Sequence, residues 1–380
     1  MSLTSDFLFY AVIAAAVVAV LTTLLAWNSV PGPRAGRWLA RLFMIGLCQA
    51  TAVAVLGLWV NNNFALYSSW NDLLGEPPAA DSAPSGALGA ADFHDLGDRV
   101  STTEYRGPQS KLRGKVLVWT PPQYDQPEYR DYHFPVIMLL HGVPGTPRAW
   151  IKGGHATTEI ADMMRDGRLS PAILVMPRVD PGGNTDCTNI PRGPQTATWL
   201  AQDVRTLILR HFRALTEPSG WSMAGDSTGG YCATTLPLQY PASFATGLAF
   251  SPDDFHGDPD IVPSRTLRRL SDPIRLVGTG IRVALLVATS RHDPSSTPAN
   301  AQTLLAAAKA PTQVAPPLIV DDGGHNWGTW RAMYPKVFGW LNAHLSPPRK
   351  PSAPTALAVG QPGTAPLPAC QHGDRCNPQR

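Results

Sequence analysis

Three side chains in this sequence are of the types that together move an acyl group: Ser227, Asp293 and His325. Ser227 lies in Gly225-Asp226-Ser227-Thr228-Gly229, a G-x-S-x-G pattern. A serine hydroxyl is a weak nucleophile at neutral pH until a neighbouring imidazole takes its proton and a sharp turn thrusts it clear of the backbone. Five residues are a short pattern, and the plain alternative is a glycine-rich surface turn. The setting separates the two. An apolar run precedes the pattern and a run of small residues follows it, which is the strand–turn–helix such a serine requires. Glycine at 225 and 229 suits a crossing too tight for side chains.

Asp293 stands just beyond an apolar run, before Pro294, and His325 stands just beyond the next run, after Gly323 and Gly324. His325 would accept the serine proton and later return it to the leaving group, while Asp293 fixes the imidazole tautomer. Asp253 and Asp254 follow the strand after the serine turn and are the rival acids. Asp321 and Asp322 are too close to His325 along the chain to reach across to it. His292, His155 and His256 lack a supporting context. Upstream, the apolar stretch 135–140 runs into His141 and Gly142. A loop there supplies one backbone N–H for a developing oxyanion, from Gly142 or Val143, and Thr228 supplies the other. Each such donor contributes about 3 kcal/mol to the transition state. His141 ends a buried strand and reads as structural.

These groups need a scaffold that presents them together. Strands are expected at Lys115–Thr120, Val136–Leu140, Ala172–Met176, Gly220–Ala224, Thr246–Phe250, Val283–Ala288 and Pro317–Val320. Helices are expected at Thr157–Arg165, Ala197–Phe212, Thr228–Leu236, Ala299–Ala308 and Arg331–His344. Runs that are apolar nearly throughout are buried on both faces, so the reading is an α/β fold, a mostly parallel sheet with helices on each side. All the chemical candidates then fall at the carboxyl edge of the sheet, where ligands bind in such folds. Trp150, Trp199, Trp327 and Trp330 fall near that edge and read as packing rather than as a pocket lining.

The chain has 380 residues, 16% of them charged, with a net charge of +3. No basic run is long enough to track phosphates, which argues against nucleic acid as a partner. The charge deficit has a local source. Residues 7–27 and 42–60 carry no charge, and each is long enough to cross a bilayer as a helix. A cleaved signal peptide fits less well, because no basic residue precedes the first run and a second follows at once. Arg34, Arg37 and Arg41 lie between the runs, so the short loop is expected inside and everything beyond Asn61 outside. The expected organisation is a two-helix transmembrane anchor over 1–62, a linker over 63–95, a catalytic domain over 96–345 and a proline-rich disordered tail over 346–380. Of five cysteines, Cys48 falls in an apolar run, while Cys187, Cys232, Cys370 and Cys376 lie in the region read as exported.

The segments NNNFALYSSWNDLLG, LLHGVPGTPRAW, NTDCTNIPRGPQTATWLAQDV, GWSMAGDSTGGYCA and GGHNWGTWRAMYPKVFGWL give the chain a family likeness over roughly residues 60–345. It resembles the esterase-D and antigen-85-like branch of the α/β-hydrolases, and in particular actinobacterial membrane esterases with N-terminal spans. The resemblance implies the α/β-hydrolase fold, with Ser227 as nucleophile, Asp293 as acid and His325 as base. It also implies a disulfide between Cys187 and Cys232. Asp226 departs from the pattern, since many relatives carry a neutral or aromatic side chain there. The implied activity is serine hydrolysis of a small-molecule or lipid carboxylic ester at the outer face of the membrane. Acyl transfer to a sugar or lipid alcohol and a non-catalytic envelope-binding module are the alternatives. No metal or organic cofactor is called for by these residues.

Overall fold

A computed structural model describes residues 5–64, 73 and 88–351. Most of the expected linker and tail, with Cys370 and Cys376, lies outside the described residues.

Among the described residues ten strands form one sheet: β1 His94–Asp95, β2 Val100–Arg106, β3 Arg113–Trp119, β4 Val136–Leu140, β5 Ile173–Pro177, β6 Trp221–Asp226, β7 Thr246–Phe250, β8 Ala284–Ser290, β9 Gln313–Val314 and β10 Leu318–Val320. The order is β1-β2-β3-β5-β4-β6-β7-β8-β10, with β9 also pairing to β8. From β5 to β10 neighbours run parallel; β1, β2 and β3 join by antiparallel pairing. The parallel register aligns Leu140 with Gly225, Asp226 with Phe250 and Phe250 with Ala288, so the chain leaves β4, β6, β7 and β8 on one edge.

Alternation explains the two-sided core. Ile137 and Leu139 face one hydrophobic layer; Val136, Met138 and Leu140 face the other. Helix α5 (Trp327–Asn342) covers the first face through Val337, Phe338 and Leu341, and the helical run ending in Arg205–His211 covers the second through Leu207 and Ile208. Each such side chain, fully buried, contributes about 1.5–3 kcal/mol. Two further helices flank the sheet, α3 (Thr228–Gln239) and α4 (Pro298–Ala307).

Every expected strand is present, with ends moved by two residues at most. The strand β2 has no counterpart in the sequence expectation. Its residues VSTTEYR are mostly polar, and only Val100, Thr103 and Tyr105 turn fully inward. The expected helix Ala197–Phe212 is irregular. A π-helical segment, Trp199–Val204, separates Thr196–Thr198 from Arg205–His211. That segment holds Asp203, fully buried, which accepts from the amides of Gln109 (3.0 Å) and Ser110 (2.8 Å) and pins the β2–β3 turn. Helix α5 starts earlier than expected because Asn326 caps it, accepting from the Thr329 amide at 3.0 Å.

Helices α1 (Asp6–Ala26) and α2 (Arg34–Phe64) pack on each other and are long and apolar enough to cross a membrane. Their outward side chains stay uncovered by protein: Leu25 is 81% and Phe43 72% exposed. Arg41 closes the connection, donating to Trp27 O at 3.2 Å and stacking on its ring. Cys48 is a half-buried free thiol, 3.4 Å from Thr23 Oγ1. Helix α2 packs against the short helix Ala149–Lys152.

Candidate active site

Ser227 joins β6 to α3 with φ +53° and ψ −125°, a left-handed conformation that costs a non-glycine residue about 1–3 kcal/mol. Its amide donates to Phe250 O at 3.0 Å, tying the turn to β7. The crossing of strand and helix is as close as the glycines suggest. A Cβ on Gly225 would lie 2.1 Å from Gly229 O, and one on Gly229 would lie 2.2 Å from Leu140 O. Both obstacles are backbone and cannot turn aside. Gly229→Ala is therefore expected to destabilise the fold by about 3 kcal/mol or more, read as a fall in thermal midpoint. An unchanged midpoint would contradict the tight crossing.

His325 and Asp293 meet. Nδ1 of His325 lies 3.1 Å from both Oδ1 and Oδ2 of Asp293, which places the proton on Nδ1 and leaves Nε2 as the free base. Asp293 is anchored by the amides of Ser295 and Ser296, each at 2.9 Å, and by the side chain of Ser251. Ser251 in turn accepts from Trp330 Nε1 at 2.9 Å, and the Trp330 ring stands edge-on to His325. Burial alone would raise the Asp293 carboxyl; the bonds from His325, Ser251 and Ser296 outweigh it and hold the group below its ordinary range. Burial alone would lower His325; the Asp293 bond and charge outweigh it, with Asp253 and Asp226 adding to the rise.

The Ser227 hydroxyl donates to Asp253 Oδ1 at 3.1 Å, not to His325. Asp253 also accepts from Thr228 Oγ1 at 2.5 Å. The rival acid thus sits on the serine side of the site. Asp254 caps a turn at the His256 amide, and Asp321 pairs with Arg291. His292 is exposed, His155 neighbours Glu159, and His256 neighbours Asp272.

At the oxyanion loop the two candidate amides, Gly142 and Val143, differ in their partners. The Gly142 N–H donates to Asp226 Oδ2 at 3.0 Å, so it is already engaged. Thr228 opens α3, and its N–H belongs to the first turn, which has no intrahelical acceptor. Val143 is the other loop candidate. His141 is fully buried and structural: Nε2 accepts from the Val179 amide (3.1 Å), so Nδ1 carries the proton it shares with Gly142 O (2.7 Å). Asp226 is itself 4% exposed, and burial pushes its carboxyl up to about 7, opposed by the Gly142 N–H and the His325 charge. Asp226, Asp253 and Ser251 are the site residues whose contacts sequence reasoning missed. Their signal was position, since all three follow or end strands at this edge.

Trp150, Trp327 and Trp330 are buried and form an edge-to-face stack beneath His325, whereas Trp199 lies in the opposite layer. Among the described residues no group of three or more His, Cys, Asp or Glu is placed to share a metal ion. A cavity of about 340 Å³ opens beside Asp253, lined by Asp186, Asp254, Asp258, Tyr231 and Ile261. Burial pushes the Asp186 carboxyl up to about 6, opposed by the amide of Asp258.

Cys187 is joined to Cys232, across 45 residues, linking the loop before the π-helical segment to α3 behind Ser227. Closing a loop of that length restricts the unfolded chain by about 4 kcal/mol. Cys232→Ser is expected to lower the thermal midpoint, and a reductant should reproduce the fall in the wild type alone. Equal midpoints with and without reductant would remove the bridge.

The family model “Putative esterase” matches residues 111–341. An uncharacterized protein of Corynebacterium glutamicum is 25% identical over 248 residues, 60% of this chain and 56% of that protein. The chain thus spans about half the length of that curated relative. Among solved structures, a ferulic acid esterase superposes with a TM-score of 0.53 at 20% identity, covering 65% of this chain and 98% of its own. An S-formylglutathione hydrolase from Agrobacterium tumefaciens superposes with a TM-score of 0.54 at 18% identity, covering 67% and 99%. At these identities the likeness concerns the fold, that of the α/β-hydrolases.

Proposed function

The chain belongs to the esterase family, and on that premise we propose that it cleaves carboxylic esters through an acyl-serine on Ser227, at the outer face of a membrane that α1 and α2 span. The observation that carries this reading is the Asp293–His325 pair, set at the same sheet edge as a serine in a left-handed strand-to-helix turn. Catalysis requires the Ser227 side chain to turn from Asp253 toward Nε2 of His325. The imidazole then takes the hydroxyl proton as Oγ attacks the ester carbonyl. Asp293 holds Nδ1–H and stabilises the imidazolium. The amides of Thr228 and Val143 receive the oxyanion. His325 returns the proton to the departing alcohol, and water, activated by the same imidazole, releases the acid and restores Ser227.

Support for the membrane placement comes from two apolar helices with uncovered side chains and from the arginines that join them. The positive-inside bias puts the catalytic domain outside. The organisation into anchor, linker over 63–95, catalytic domain and tail belongs to the same proposal. Hydrolysis of p-nitrophenyl esters by the detergent-solubilised full chain tests the activity. An ester panel with no turnover by wild type would remove the reading. Acyl transfer to an added polyol, detected in the products, would assign the acyl-serine to transfer instead of hydrolysis.

The cavity beside Asp253 carries four carboxylates: Asp186, Asp253, Asp254 and Asp258. Like charge in a cleft is repelled and an opposite one is drawn in. Esters of neutral or cationic alcohols are expected to show kcat/KM at least about tenfold above matched anionic ones, a gap that narrows with added salt. Equal rates at low salt would contradict this use of the cleft.

A further inference from the structure

Beyond the triad, the geometry points to Asp226 as a positioning residue: its carboxyl clamps the Gly142 peptide and so holds the oxyanion loop against the turn that bears Ser227. This inference rests on the proposed acyl-serine chemistry but not on the identity of the ester.

Gly142 is gripped at both ends. Its N–H donates to Asp226 Oδ2 at 3.0 Å, and its carbonyl accepts from His141 Nδ1 at 2.7 Å. His141 is in turn fixed by the Val179 amide. The fit around Gly142 is close: a Cβ there would lie 3.0 Å from Asp226 Oδ2 and 3.0 Å from Ser227 Cβ. The loop that follows therefore has its first peptide anchored to the residue directly before the nucleophile. A shift of the turn carries the loop with it, and the Val143 and Thr228 amides keep their spacing. Such fixed spacing is what lets donors act without reorganising when charge develops.

The chemistry of Asp226 fits a clamp that accepts a hydrogen bond. It is buried at the end of β6, and its other oxygen, Oδ1, is enclosed without a hydrogen-bond partner among the described residues. Burial that raises its carboxyl favours the neutral acid, whose carbonyl oxygen still accepts from Gly142. Three titratable groups act on it electrically: His325, Asp253 and Tyr334. When Asp226 ionises, its charge adds to the rise of His325, less than Asp293 and Asp253 do. The clamp and the base are linked in one direction. Removing the charge but not the acceptor frees His325 at lower pH, while removing the acceptor loosens the loop.

The test compares Asp226→Asn with Asp226→Ala in the full chain, using p-nitrophenyl acetate and a pH profile of kcat/KM. Asp226→Ala is expected to lower kcat about 10- to 100-fold with KM changed much less. Asp226→Asn keeps an acceptor for the Gly142 N–H and is expected to recover most of that loss. Its acid limb should lie at lower pH than the wild type's, while Asp253, left in place, still supports part of the rise in His325. If the alanine variant fails to fold, the asparagine variant alone decides: kcat within about tenfold of the wild type's supports the clamp, and a larger fall overturns it. An Asn variant as slow as the alanine variant overturns the proposal. So does an alanine variant with wild-type kcat. In each case a wild type that is labelled at Ser227 and turns over leaves the esterase reading standing, so the two failures are distinguishable.

Discussion

Ser227→Ala is expected to lower kcat/KM for an activated ester by about 10⁵- to 10⁶-fold. The size follows from what the hydroxyl does. It forms the covalent bond, so without it His325 and the oxyanion donors are left with water and an unsplit reaction. Residual turnover should match what the donors and binding supply without a nucleophile, about 10³- to 10⁴-fold over water. The substitution removes one hydrogen bond, to Asp253, and leaves the turn backbone in place. Thermal melting near the wild-type midpoint therefore accompanies the kinetic loss. Activity within a hundredfold of wild type would place the nucleophile elsewhere.

Asp293→Asn is expected to cost about 10⁴-fold in kcat, because an amide in place of the carboxylate favours the wrong imidazole tautomer. Asp253→Asn separates the two acids near the site. Asp253 touches Ser227 and Thr228, not the imidazole, so its amide variant should stay within about tenfold. Equal losses would reopen the choice of acid. Both variants should also move the acid limb of the pH profile down, since Asp293 and Asp253 each raise His325. Stability follows the same group in a different window. The Asp293 carboxyl is depressed in the folded state, so its stabilisation is present above the ordinary carboxylate range, about pH 4, and is lost as pH falls through the lower folded value. Asp293→Asn should remove that acid-dependent part and flatten the fall in melting temperature below about pH 4.

How much of this was legible in the residues can be traced element by element. Continuous apolar runs such as VIMLL at 136–140 and TGLAF at 246–250 mark strands buried on both faces, and their ends agree with the structure. The strand β2 was not legible. Its serine, threonines and glutamate are tolerated because antiparallel strands at the sheet's end expose one side. The glycines at 225 and 229 announced a close crossing, and backbone oxygens at 2.1 and 2.2 Å from a notional Cβ supply its cause.

At the site, chain order and strand ends brought Asp293 to His325, but they could not assign hydrogen bonds. Asp253 was legible only as a rival acid, and the bond it accepts from Ser227 depends on a side-chain rotation that no spacing encodes. Gly142 illustrates the same limit. Its place after β4 named it as an amide donor, yet the buried Asp226 across the turn takes that N–H. The disulfide partner of Cys187 came from family likeness and not from spacing, because pairing depends on how the π-helical segment delivers its preceding loop to α3.

The central claim is a covalent acyl-serine at one residue. Wild-type chain quenched in acid during turnover of a p-nitrophenyl ester, then digested and weighed by mass spectrometry, tests it most directly. The account predicts an acyl increment on the peptide containing Ser227 and on no other, absent in Ser227→Ala. Turnover with that peptide unmodified throughout, or an increment on a different residue, would contradict it.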